Sequence, residues 1–322
     1  MAMRDAILNF PKQFEYEPVI ENADKFKPGK KFVVCGMGGS HLAADILKTV
    51  RPEIDITIHS DYGFPPMSKS ELQRSLMILS SYSGNTEEPV DSFQRAHEQK
   101  LPMLAIATGG KLVELARASD VPYILLPNTG IQPRSALGIS FLAMLLGMGE
   151  HDLLKEARVL AQKLSPEAQE HAGKALAEKL RGRMPVIYSS TRNLSLAYNW
   201  KIKLNETGKT PAFYNVLPEL NHNEMTGFDA VPATKSLSEK FHFIFLKDPA
   251  DDPRIQKRMQ VLEKLYEDRG LPVEIVPLPG DGLQKVFGNL LLADWFALYT
   301  AENYGVESEQ VPMVEEFKKL IV

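Results

Sequence analysis

Residues 31–50, KFVVCGMGGSHLAADILKTV, decide the fold. KFVVCG is a short apolar run of the length and composition of a buried strand, and a glycine-rich break separates it from an amphipathic segment running to Arg51. The same alternation recurs. DITIHS (55–60), LMILSS (76–81), PMLAIA (102–107) and VPYILLP (121–127) read as further strands, with helical patterns at 70–74, 87–100, 111–119 and 135–149. Strand and helix in alternation predict a parallel sheet covered on both faces, doubly wound and ending near Glu150. Polar helical stretches at 151–164 and 166–181 follow, and the pattern then restarts: MPVIYSS (184–190), a helix from 192 to 206, FHFIFLKD (241–248), a helix at 253–269 and LPVEIVPL (271–278). A long helix at 283–304 and a shorter one at 312–321 close the chain. The expectation is two α/β domains of related architecture, residues 1–152 and 153–322. Residues 207–238 take no regular assignment and read as a long structured loop, a class that is commonly functional.

Composition narrows the function. The 322 residues carry 37 Lys+Arg against 41 Asp+Glu, a formal charge of −4, which gives no general basic surface for nucleic acid or an anionic membrane. The single cysteine, Cys35, excludes an intramolecular disulfide and a cysteine-based zinc cluster. No signal peptide is recognisable at the start, and no apolar run reaches the length of a membrane span. The richest stretch, ALGISFLAMLLGMGE (136–150), reads as a buried helix. The cytoplasm is the expected compartment.

Two glycine- and hydroxyl-rich loops follow predicted strands. Gly36-Met37-Gly38-Gly39-Ser40 lets the backbone turn tightly ahead of a helix whose first N–H groups suit an anion. It matches neither dinucleotide fingerprint nor P-loop: His41 stands where the first needs glycine, and no Gly-Lys-Ser/Thr follows. Ser81, Ser83 and Thr86, around Gly84 and before another helix, offer neutral donors suited to a phosphate monoester; the plainer reading makes Thr86 a helix cap. Arg134, after a proline, is placed to steady negative charge developing on an oxygen, or to serve as a surface ion pair. Glu206 closes a helix, where the dipole disfavours its ionised form, as befits a general base; the alternative is a solvated helix-end carboxylate. His222, within PELNHNE (218–224), has the intrinsic pKa for moving protons. No metal site is expected, because His222 and Glu224 lack partners at ligand spacing.

Together these segments resemble the sugar isomerase (SIS) fold, and more closely the bifunctional phosphoglucose/phosphomannose isomerase family. The matching pieces are GMGGS (36–40), SYSGNTEE (81–88), PRSALG (133–138), NETGKTPAF (205–213), PELNHNE (218–224) and VEEFK (314–318), in order along the whole chain. The resemblance implies two SIS-type doubly wound domains, each a parallel sheet flanked by helices. It also implies an aldose–ketose isomerase for glucose 6-phosphate and fructose 6-phosphate, and for mannose 6-phosphate, working without a cofactor through a cis-enediolate. Gly39, Ser40, Ser81, Ser83 and Thr86 would hold the phosphate, and Glu206 would carry the proton between C2 and C1. Arg134 would stabilise the enediolate, while His222 and Lys318 would assist ring opening. The VEEFK register selects Lys318, although Lys319 adjoins it. The partner it implies is a second copy, in a homodimer where His222 reaches the neighbouring subunit's site. Where the family carries a small hydroxyl residue linked to the mannose epimer, this chain has Gln310, Val311 and Pro312, with Ser308 the nearest preceding hydroxyl.

Proton transfer is expected over hydride transfer, which calls for a metal clamp. The competing readings are a sugar-phosphate-binding SIS sensor, which has no need of Glu206, Arg134 and His222, and an SIS isomerase for another sugar phosphate.

Overall fold

A computed structural model describes residues 2–321, so the expected domain ends at 1 and 322 lie outside the described residues. The chain divides into two compact units: Asn9–Leu164, and residues 165–321 together with Ala2–Leu8.

The first unit holds strands β1 (Ile20–Glu21), β2 (Lys31–Cys35), β3 (Asp55–His59), β4 (Leu76–Ser80), β5 (Met103–Ala107) and β6 (Tyr123–Leu125), in the spatial order β1-β6-β5-β4-β2-β3. Neighbours are parallel except β1, which runs antiparallel to β6. The five apolar runs became the five parallel strands. β4 and β5 are buried at every residue and β2 at all but Lys31, so both faces demand apolar side chains and the runs are continuous. β1 has only two residues, too few for a period to show. Val33, Met77, Leu79, Phe93, Ala105 and Leu112 form the core between the sheet and the helices Glu87–Glu98 and Gly110–Ala118. Each large aliphatic side chain there contributes about 1.5–3 kcal/mol on burial. The helix Leu137–Met148 is buried along nearly its whole length, which explains its apolar surface all round.

Chain order fixes where a ligand would sit. From β2 the chain goes out to β3 at one edge, then returns to β4 on the other side of β2. The crevice between the carboxyl ends of β2 and β4 is therefore the switch point at which open α/β sheets bind ligands.

The second unit contains β7 (Met184–Ser190), β8 (Phe213–Leu217), β9 (Phe241–Lys247) and β10 (Val273–Pro277), all parallel, ordered β10-β9-β7-β8. β8 lies inside the stretch that took no assignment from sequence. It is an edge strand that exposes Phe213 and Tyr214 and buries only Leu217, so it lacks both alternation and a continuous apolar run. Short helical turns at Glu219–His222, Glu224–Gly227 and Lys235–Ser238 account for much of the rest of that stretch. Tyr188, Phe243, Phe245 and Tyr266 centre the core, with Phe228 edge-on to Phe243 at 4.8 Å between ring centroids. The helix Glu167–Lys179 approaches the helix Gly282–Tyr304 at Gly173, where a β-carbon would strike Trp295.

Candidate active site

The phosphate-type loops of the first unit meet at its switch point. Met37 O accepts from Ser40 N at 3.0 Å, tightening the glycine loop into a single helical turn. Gly39 is obligatory by space: a β-carbon there would lie 2.9 Å from Pro133 and 3.1 Å from Arg134 N. Tyr82 N donates to Ser40 Oγ at 2.9 Å and Ser80 Oγ donates to Ser40 O at 2.7 Å, binding the first loop to the second. Ser40 Oγ, already an acceptor, keeps its own proton to give.

The hydroxyls of the second loop divide by role. Ser81 is fully buried, and its Oγ accepts from Gly84 N at 3.1 Å and lies 2.9 Å from Thr86 Oγ1, so it braces the loop from within. Ser83 is exposed and Thr86 half-buried. Thr86 occupies the cap position of the helix Glu87–Glu98 but makes no side-chain cap, its hydroxyl being turned to Ser81. The N–H groups of Glu87 and Glu88 thus begin a helix without a hydroxyl cap, the arrangement an anion can complete.

A third loop, after β5, supports the second and was not singled out in the sequence. Thr108 donates to Tyr82 O through N at 2.9 Å and Oγ1 at 2.7 Å, and Asn85 Oδ1 accepts from Lys111 N at 3.0 Å. Gly84, at φ +74°, passes so close that a β-carbon would overlap the Gly109 carbonyl. The paired glycines Gly109-Gly110 are the signal that was there to read.

Arg134 sits in the turn Pro133–Ser135 and is 1% exposed, with Nη1 3.5 Å from Gln132 Oε1. So deep a guanidinium is not a surface ion pair. Gln13, itself buried, holds the turn: Nε2 donates to Ser135 O at 2.7 Å, while Oε1 accepts from Gly138 N at 3.0 Å and Ile139 N at 3.4 Å. Beside the glycine loop, His41 Nδ1 lies 2.5 Å from Asp45 Oδ2.

In the second unit Glu206 is the final residue of the helix Leu194–Glu206 and is half-buried. Thr207 N and Gly208 N both donate to Lys203 O, at 2.8 and 3.1 Å, and Asn205 Nδ2 donates to Thr210 O at 2.9 Å. A β-carbon at Gly208 would meet Leu204 O at 2.8 Å. Lys209, left-handed at φ +54°, donates from Nζ to Glu206 O and Gln310 O. The Asn-Glu-Thr-Gly-Lys run is therefore a built helix terminus, shaped by bonds of Asn205, Thr207, Gly208 and Lys209.

The loop bearing His222 is framed from behind. Glu224 accepts from Tyr188 OH and Asn215 Nδ2, Asn223 Nδ2 donates to Glu219 Oε1 at 2.8 Å, and Leu220 is fully buried. His222 is exposed, as are Glu219 and Asn223 beside it. Lys318 lies on the helix Pro312–Leu320, which buries no residue, and its Nζ is 2.8 Å from Glu315 Oε1.

The second sheet has its own switch point, between β7 and β9, and protein groups fill it. Ser190 Oγ donates to Asp251 Oδ1 at 2.7 Å, while Lys285 Nζ and Asn193 Nδ2 donate to Asp248 Oδ2 at 2.7 and 3.0 Å. Burial is the largest influence on both carboxyls and raises them. At Asp248 the hydrogen bonds from Lys285, Ala250 N and Asn193, with the Lys285 charge, together outweigh it and hold the group below the usual range, while at Asp251 burial prevails. Among the described residues no three or more His, Cys, Asp or Glu are grouped to hold a metal ion, and no helix is long and apolar enough to cross a membrane.

Comparison with known proteins identifies relatives of the chain. Residues 169–321 match a family model described as the bacterial phospho-glucose isomerase C-terminal SIS domain. A bifunctional phosphoglucose/phosphomannose isomerase of Aquifex aeolicus is 33% identical, over 96% of this chain and 95% of that one. A protein of the same name from Caldicellulosiruptor bescii is 32% identical, over 98% of each. Among solved structures, glucosamine-6-phosphate deaminase of Thermotoga maritima superposes with a TM-score of 0.66 at 15% identity, covering 96% of both chains. That last likeness is one of fold.

Proposed function

The chain belongs to the bifunctional phosphoglucose/phosphomannose isomerase family, and from that premise we propose that it interconverts glucose 6-phosphate and fructose 6-phosphate, with mannose 6-phosphate as a further substrate. The observation that carries this reading is identity of 33% sustained over 96% of the chain.

The site geometry supports specific roles. Ser40, Ser83 and Thr86, the glycine backbone around Gly39 and the start of the helix Glu87–Glu98 receive the phosphate, with Ser81 holding the loop in shape. Binding this remote group positions the sugar for reaction. With the ring open, the Glu206 carboxylate takes the proton from C2 of the aldose, and the electron pair moves through C1 onto O1. The resulting cis-enediolate is stabilised by the Arg134 guanidinium, which is already stripped of water. The O2 proton passes to O1, Glu206 returns its proton to C1, and the ketose forms. His222 and Lys318 shuttle protons at the ring oxygen and O1 during opening.

A homodimer fits the surface. His222 projects from a braced loop, and the helix Pro312–Leu320 exposes Met313, Phe317 and Leu320 together with Lys318; a second copy would give both a destination. The reducing cytoplasm suits a chain whose one thiol, Cys35, is buried and pushed up to about 12.

Fructose 6-phosphate in deuterium oxide tests the chemistry. Wild type should yield glucose 6-phosphate deuterated at C2 by proton NMR, and Glu206→Gln should slow this by about 10²–10⁴-fold. Wild type giving neither product nor exchange would overturn the isomerase reading.

A further inference from the structure

A helix terminus frays unless something holds it, and Glu206 sits at one. Two buried polar links join its helix to the helix Gly282–Tyr304. Trp200 Nε1 donates to Asn289 Oδ1 at 2.8 Å, and one turn nearer the end Lys203 Nζ donates to Asp294 Oδ1 at 2.6 Å. Lys203 is 1% exposed and Asp294 5%. The carbonyl of the same Lys203 accepts from Thr207 N and Gly208 N. One residue thus anchors the helix sideways with its side chain and closes the turn after Glu206 with its backbone.

The pair is a poor way to gain stability. Taking an ammonium and a carboxylate out of water costs about as much as their attraction returns, and apolar residues of like volume hold two helices as well or better. Apolar surfaces, however, admit neighbouring registers. An ion pair between fixed positions admits one. A slip of a single residue would carry Glu206 1.5 Å along the helix axis and about 100° around it, and an error of about 1 Å at a reacting group costs on the order of a hundredfold in rate.

We propose that Lys203 and Asp294 form a positioning pair, supported by Trp200 and Asn289, that sets the register of the helix carrying Glu206 and so the place of its carboxylate, serving geometry rather than stability. This rests on the reading of Glu206 as the base.

The test compares Lys203→Met/Asp294→Leu with wild type in the full-length protein, measuring thermal midpoint, kcat and KM for fructose 6-phosphate. The double variant should melt within a few degrees of wild type, lose about tenfold to a hundredfold in kcat, and keep KM within about twofold. Wild-type kcat in the folded double variant overturns the proposal, as does a loss confined to KM. If the double variant does not fold, Asp294→Asn, which keeps the volume and one acceptor, decides by the same split of kcat from KM. Glu206→Gln is assayed alongside. Activity in Glu206→Gln removes the base assignment and this proposal with it. An inactive Glu206→Gln beside a fully active double variant removes the positioning role alone.

Discussion

At Gly39 the constraint is space alone, since the β-carbon would press on the backbone of Pro133 and Arg134, which has little freedom to move away. Gly39→Ala should displace the first phosphate loop against the Arg134 turn at a strain of about 1–3 kcal/mol, raising KM for fructose 6-phosphate about tenfold; steady-state kinetics reads this. His242, on β9, is a second residue whose surroundings make a measurable demand. It is 4% exposed, and burial pushes its imidazole down from 6.5 to about 4, against the opposing pull of Glu274. The unfolded chain binds this proton near pH 6.5 and the folded chain only near 4. His242 therefore contributes stability in full above about pH 6.5 and loses it as pH falls towards 4. The loss is on the order of 2–3 kcal/mol. Thermal midpoints at pH 7 and pH 4.5 should fall further apart in wild type than in His242→Gln; equal slopes would refute the assignment.

Elements show how far the sequence could be read. Strands buried on both faces announce themselves, because every position of β4 and β5 is buried and all but the terminal Ser80 are apolar. β8 does not, since an edge strand with one partner can carry Phe213 and Tyr214 in the open and still be held by its backbone. The functional loops divide in the same way. Glycines and hydroxyls at strand ends are visible in the sequence, as are Glu206 and Arg134 within their motifs. The groups that position them are not. Gln13 lies more than a hundred residues from the turn it clamps, and the Lys203–Asp294 pair spans 91; no local pattern relates such residues. Gln13→Ala should leave buried amide and carbonyl groups unpaired, at about 1–3 kcal/mol for each group orphaned. It should lower the thermal midpoint and, by loosening the Arg134 turn, reduce kcat. An active variant that merely melts earlier would confine Gln13 to the fold.

The question for the whole molecule is whether a complete site needs two chains. His222→Ala and Glu206→Gln should each be inactive alone. If His222 serves the neighbouring subunit, refolding the two variants together restores one intact site in each mixed dimer, about a quarter of wild-type activity for random association. Mixtures as dead as their parents would place His222 in its own subunit's site. The arrangement of the units carries a further consequence. The helix Met3–Leu8 belongs with the second unit: Met3, Ala6 and Ile7 are buried, Arg4 lies 5.0 Å from the Trp295 ring and its Nη1 donates to Tyr299 OH at 3.4 Å. During synthesis on a ribosome this opening segment must wait, unpartnered, until the helix Gly282–Tyr304 has emerged, long after the intervening unit has had the chance to fold. A gene cut at the 164/165 junction would yield a second half with the flank of Trp295 laid bare, sticky and in want of a short peptide. Supplying residues 2–8 in trans, or moving them to the far terminus by circular permutation, is the way to make that half whole.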